Sequence, residues 1–140
     1  MADVGLRLAD TSAWHRSDHP AVSEAWRRLL EADLVATTEP VMLEVLYSAR
    51  SPDEYEDLVR GLDALRRLSC DMQAIERALE VQRSLAHLRP LHHRLAVPDL
   101  LIAAVAELSG AIVWHYDADF ERIAEVTGQP VEWIAARGTL

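Results

Sequence analysis

Lysine is absent from this chain: all fourteen basic residues are arginine. Schiff-base catalysis, phosphate-loop nucleotide hydrolysis and phospho-receiver chemistry belong to families that need a lysine, so each is excluded. Cysteine is almost absent. Cys70 stands alone, has no partner for an internal disulfide and fits a reducing cytoplasm. No histidine pairing marks it as a nucleophile, so it reads as a core residue. No apolar run reaches the length of a membrane span. The start, with a charge at Asp3, carries no signal-peptide pattern. Repeats, low-complexity segments and linkers are missing too. Basic surface is also lacking, because twenty-three acids outweigh the arginines and leave a formal charge of −9. A general nucleic-acid surface is therefore not visible. Such a charge means a solvated surface, a cluster of carboxylates awaiting cations, or a basic partner, and the positions of the acids must decide.

What is present is a compact-domain length of 140 residues, half of them apolar. We expect one domain over 1–140 with its core at about 4–134. The pattern predicts strands at 4–9, 33–38, 66–71, 111–116 and 130–134. Helices are expected at 19–32, 41–50, 52–65, 72–88, 98–110 and 119–128. Thr37 or Thr38 would cap the second of these, with Pro40 tolerated in its first turn. Residues 89–98 read as irregular and basic. Alternating strands and helices argue for an α/β fold, a mostly parallel twisted sheet of about four to five strands flanked by helices. Ligands in that architecture bind beyond the carboxyl ends of the strands.

Several acids sit where burial is expensive. Asp10 ends the first strand. Glu44 lies beside the apolar stripe Val41, Met42, Val45, Leu46 and Ala49. Asp99 opens the most apolar helix, and Asp117 follows the most apolar late strand. Each has a structural explanation: Asp10 begins a turn, Glu44 pairs with an arginine, Asp99 and Asp119 cap helices. Together they suggest more. Parallel strand ends share one edge, so Asp10 and Asp117 should converge, and the other two elements can reach the same edge. Clustered carboxylates raise one another's pKa. A divalent cation compensates them, and oxygen-only ligands select Mg²⁺ or Mn²⁺.

"LADTSAW", "MLEVLYSAR", "VPDLLIAAVA" and "HYDADFERIA" stand in the order of four signature segments. In these the chain resembles PIN-domain ribonucleases, and among them the VapC toxins of bacterial type II toxin–antitoxin systems, over about residues 6–134. The resemblance implies a metal-dependent endoribonuclease with catalytic Asp10, Glu44, Asp99 and Asp117. Asp10, Asp99 and Asp117 would be Mg²⁺ (or Mn²⁺) ligands, with Ser12 and Asp119 in support. Water attack would leave a 5′-phosphate and a 3′-hydroxyl on a structured RNA such as tRNA or ribosomal RNA. It also implies a homodimer, a cytoplasmic location, and a VapB-type antitoxin that sets a basic side chain among the acids. His115 departs from the family pattern, where Thr or Ser is common.

Other residues have competing readings. Arg83, His87, Arg89, His92, His93 and Arg94 fall within twelve residues and end beside Asp99. They form a solvated loop or a phosphate-contacting strip, and Arg89 and Arg94 are the expected RNA contacts. A zinc site at His92 and His93 has no third ligand at a supporting spacing. Trp26 and Trp133 read as packing residues, and Trp14 as facing the pocket or a partner. Asp119 reads chiefly as the cap of the helix that follows it. Two alternatives to a toxin nuclease stand. One is another metal-dependent phosphate-processing enzyme, although a haloacid-type phosphatase would need D-x-D where this chain has Asp10-Thr11-Ser12, and a flap-type nuclease would need more chain. The other is a non-catalytic metal- or partner-binding module. Replacing Arg89 and Arg94 with Ala is expected to weaken RNA binding with the fold intact, and unchanged binding and cleavage would remove the strip from the interface.

Overall fold

The computed structural model describes residues 5–140. The charge at Asp3 and the first residue of the expected 4–9 strand lie outside that range. In chain order the elements are β1 (Arg7–Ala9), α1 (Thr11–His15), α2 (Ser23–Glu31), β2 (Val35–Thr37), α3 (Glu39–Tyr47), α4 (Pro52–Asp63), β3 (Arg66–Arg67), α5 (Met72–Leu88), α6 (Val97–Ser109), β4 (Ile112–His115), α7 (Asp119–Thr127) and β5 (Val131–Trp133).

All strand pairings are parallel, in the order β3-β2-β1-β4-β5. The chain therefore runs outward from β1 to β2 and β3, then returns to the other side of β1 for β4 and β5. This reversal makes the cleft between the carboxyl ends of β1 and β4 the topological switch point. Leu8 pairs with Val113 and Ala9 with Trp114, so Asp10 and the residues after His115 emerge side by side. The Asp10 amide donates to the Trp114 carbonyl at 3.1 Å.

Side chains alternate along a strand, and the sheet uses both faces. Leu8, Ala36 and Val113 point into the larger core with α3, α5, α6 and α7. Ala9, Val35 and Trp114 point into a second core with Ala13 and Val22. Continuing the alternation places Asp10, His115 and Asp117 on the α6 side. Buried on both faces, the inner strands β2, β1 and β4 are mostly apolar rather than alternating.

Helix ends follow local chemistry. Gly110 and Gly128 close α6 and α7 in the left-handed conformation, with φ of 69° and 68°. The Asp71 carboxylate caps α5 by accepting the Ala74 amide at 3.0 Å. Thr38 occupies the N-cap position of α3 as expected, yet its hydroxyl makes no capping bond and is buried without a partner among the described residues. All five expected strands are shorter here: among the described residues 4–9 is Arg7–Ala9, 33–38 is Val35–Thr37, 66–71 is Arg66–Arg67, 111–116 is Ile112–His115 and 130–134 is Val131–Trp133. Helix α1 went unforeseen, because five residues are too few to show a helical period.

The tryptophans are mostly structural. Trp26 stacks on Trp114, centroids 5.6 Å apart, and meets Trp14 edge-on at 6.0 Å. Trp14 also lies against Gly61 of α4, where a Cβ would stand 3.1 Å from its ring. Trp14, read from sequence as facing the pocket or a partner, is partly buried and projects from α1 toward α2 and α4. Cys70 packs against the main core, as expected. Among the described residues no helix is long and apolar enough to cross a membrane. Asp71→Ala should remove the α5 cap and lower stability by about 1 kcal/mol in thermal denaturation; an unchanged melt would show that packing alone fixes the start of α5.

Candidate metal centre

Asp10 is the last residue of the extended run and the N-cap of α1, and only 3% of it is exposed. Its Oδ1 accepts the Ala13 amide at 2.9 Å, and the Ser12 hydroxyl bonds to the same carboxylate at 2.7 Å. Ser12 Oγ in turn accepts the Tyr116 amide at 2.9 Å. One hydroxyl thus ties the end of β1 to the end of β4. Next to it, Thr11 donates to Glu44 Oε1 at 2.6 Å, which joins α1 to the flank of α3. Glu44 is half-buried, as its position beside the apolar stripe predicts.

Asp99 stands in the first turn of α6, 8% exposed. Asp117 and Asp119 are half-buried. Carboxylate oxygens of Asp99, Asp117 and Asp119 all lie within 4.8 Å of one another, and this is the single group of possible metal ligands among the described residues. His92 and His93 form no such group. Asp10 stands outside the trio but close enough to repel both Asp99 and Asp117.

The electrostatics follow from this crowding. Burial, followed by repulsion from Asp117, Asp10, Glu44 and Asp119, pushes the Asp99 carboxyl up to about 7. Burial also raises Asp10 to about 6, against the opposing hydrogen bonds from Ser12 and Ala13. Burial and Asp117 raise Asp119, and Arg122 offsets part of that. Three convergent carboxylates, with a fourth and a glutamate behind them, are the donor set of a hard divalent cation. An ion there would remove the repulsion that now raises these pKa values.

Asp119 does not cap α7, contrary to the expectation from sequence. It is the first residue of that helix, and the Asp117 Oδ1 accepts its amide at 2.9 Å. Asp117 therefore holds the helix start as well as facing the cluster, and the Asp119 side chain is released toward Asp99. Sequence reasoning also missed two supporting groups. One is Thr11, set beside Ser12 without a bond of its own in view. The other is His115, fully buried, whose Nδ1 accepts the Asp117 amide at 3.1 Å. Burial holds its pKa down at about 4, so the ring is neutral at pH 7.

The basic strip is displaced from this cluster. Arg89 pairs with Glu125 of α7 at 3.1 Å, and His92 lies 3.8 Å from the same carboxylate. Glu125 is six residues beyond Asp119, about 9 Å along the helix axis. Arg94 is exposed. Arg16 is nearer the acids. It donates to the Ser12 carbonyl at 3.0 Å and its guanidinium covers the Tyr116 ring at 4.7 Å.

The family model described as "PIN domain" matches residues 7–126. The chain is 51% identical to Ribonuclease VapC18 of Mycobacterium tuberculosis, over 94% of this chain and 96% of that one. It is 45% identical to Ribonuclease VapC51 of the same organism, over 95% and 96% of the two chains. Its fold matches a chain in the crystal structure of DNA-bound VapBC from Salmonella typhimurium with a TM-score of 0.78 at 20% identity, covering 94% of this chain and 99% of that one. A VapBC-5 structure from Mycobacterium tuberculosis matches with a TM-score of 0.62 at 26% identity, covering 94% and 99%.

The raised acids set a pH dependence. Both Asp10 and Asp99 have folded pKa values above their unfolded ones, so the metal-free fold binds more protons than the unfolded chain between them. Their contribution to stability therefore falls as pH rises from about 4 to about 7. His115 works in the opposite sense, since its folded value is depressed and stability is lost as pH falls through it. Comparing wild type with Asp99→Asn cancels the histidine. In urea denaturation with EDTA, the stability gained by Asp99→Asn should grow by on the order of 2 kcal/mol between about pH 5 and about pH 8. A pH-independent difference would contradict the crowding.

Proposed function

The chain belongs to the PIN-domain family, and from that premise we propose that it is the toxin of a type II toxin–antitoxin pair, an endoribonuclease that hydrolyses RNA phosphodiester bonds. The observation that carries this reading is the convergence of Asp99, Asp117 and Asp119 within 4.8 Å, beside buried Asp10 at the switch point of the sheet. The VapC ribonucleases that match over nearly the whole chain support the activity. The VapBC complexes that share the fold support a VapB-type antitoxin as partner.

Asp99 and Asp117 would hold a divalent ion, Mg²⁺ with Mn²⁺ as a substitute, and Asp119 offers the nearest third oxygen. Asp10 would contribute an oxygen as well, from a carboxylate whose Oδ1 accepts the Ala13 amide and whose two oxygens both face the Ser12 hydroxyl. When bound, the ion would lower the pKa of the attacking water and stabilise charge on the scissile phosphate. Glu44, fixed by Thr11, would orient that water. The water oxygen would bond to phosphorus as the bond to the 3′-oxygen breaks, and a proton lost by the water would be replaced by one from solvent on the leaving oxygen, giving a 5′-phosphate and a 3′-hydroxyl. Arg94 is exposed and would be available for RNA phosphates, whereas Arg89 would first have to leave Glu125. The target class is a structured RNA such as tRNA or ribosomal RNA. The whole 1–140 chain would act as one domain, as a homodimer, in the cytoplasm, where a lone thiol suits the redox state. A basic side chain of the antitoxin would find the same acids attractive, so one cluster serves both catalysis and inhibition.

Purified protein should cleave RNA with Mg²⁺ or Mn²⁺ and stop in EDTA. Asp99→Asn should abolish cleavage, and Asp119→Ala should weaken Mn²⁺ binding more than it lowers the melting temperature. The ion should raise the wild-type melting temperature, since it binds only the folded state. Metal binding without cleavage of any RNA would identify a non-catalytic module instead.

A further inference from the structure

The residue whose role the sequence leaves open lies at the start of the acid-bearing turn. His115 ends β4 with no exposed surface. Its ring is packed by Phe120 at 5.3 Å and Trp133 at 4.8 Å between centroids. Nδ1 accepts the Asp117 amide, and Asp117 Oδ1 accepts the Asp119 amide. Two successive side-chain-to-backbone bonds, each spanning two residues, thus make a chained turn. The second link is an Asx turn; the first is the same device built from an imidazole. An accepting Nδ1 requires the proton on Nε2. Nε2 has no hydrogen-bond partner among the described residues but lies 3.7 Å from Glu121 Oε1. That carboxylate favours the tautomer the turn needs.

We propose that His115 is a positioning residue: its Nδ1 holds the Asp117 amide and so fixes the turn that presents Asp117 and Asp119 to Asp99. The inference rests on the metal-centre reading above. Packing alone would be met by any ring of similar size, so the acceptor nitrogen is what distinguishes the two roles. His115→Phe keeps a buried ring and removes both ring nitrogens, including the unpaired Nε2. His115→Asn loses ring packing but restores an acceptor able to close the same two-residue turn.

The test reads the Asp117 amide by NMR hydrogen exchange and Mn²⁺ affinity by calorimetry, on the full chain. In His115→Phe, exchange should quicken about tenfold, the equivalent of one lost hydrogen bond. Mn²⁺ affinity should fall about tenfold, as for other groups that orient metal ligands. His115→Asn should melt lower than wild type yet recover most of the exchange protection and Mn²⁺ affinity. A folded His115→Phe with wild-type Mn²⁺ affinity overturns the proposal. So does a folded His115→Asn as weak in Mn²⁺ as the Phe variant. If wild type itself binds no Mn²⁺, the metal-centre reading falls, while unchanged exchange in His115→Phe separately refutes the bond.

Discussion

Mutual repulsion among buried carboxylates is the constraint around which this fold is arranged. Asp10, Asp99, Asp117 and Asp119 come from three separate stretches of chain and would separate if free to do so. The parallel sheet prevents this by ending β1 and β4 side by side, and α6 closes over the same edge. The remaining cohesion is local: Ser12 bridges the two strand ends, Thr11 fixes Glu44, and the chained turn fixes Asp117. Each of these bonds uses a polar group whose burial would otherwise be costly. Stability is given up at the cluster and recovered in the two apolar cores on either side of the sheet.

The same arrangement explains how an acidic chain can belong to a ribonuclease family. Much of the negative charge lies on exposed helix surfaces, where arginine pairs such as Arg60 with Asp57 and Arg77 with Glu80 dilute it. The acids that lie against one another, Asp10, Glu44, Asp99, Asp117 and Asp119, meet at one cleft. A cation, or a cationic side chain from a partner, is attracted there by the whole group rather than by any one residue.

The fold was legible because periodicity and punctuation agreed: Pro98 and Gly110 bracket α6, and α5 carries a clean apolar stripe behind its Asp71 cap. The parallel sheet and its flanking helices followed from that alternation. Asp10, Glu44, Asp99 and Asp117 were legible as acids set against apolar surroundings. The short α1 was not, since Asp10 caps it from a position that reads equally well as a strand end. The division of labour between Asp117 and Asp119 was also hidden. Asp117 precedes α7 and Asp119 begins it, and a shift of two residues in the capping bond exchanges their roles. His115 could not be interpreted from its letter, because its partner is a backbone amide that any sequence would supply.

Trp133 carries one more consequence. Its indole touches both His115 and the Tyr116 ring, with centroids 4.8 Å and 5.5 Å away, and the other three tryptophans sit together on the opposite side of the sheet. The molecule therefore holds two optical populations, one in its structural core and one against the working turn. A movement of that turn would change the surroundings of Trp133 and leave those of the other three as they are.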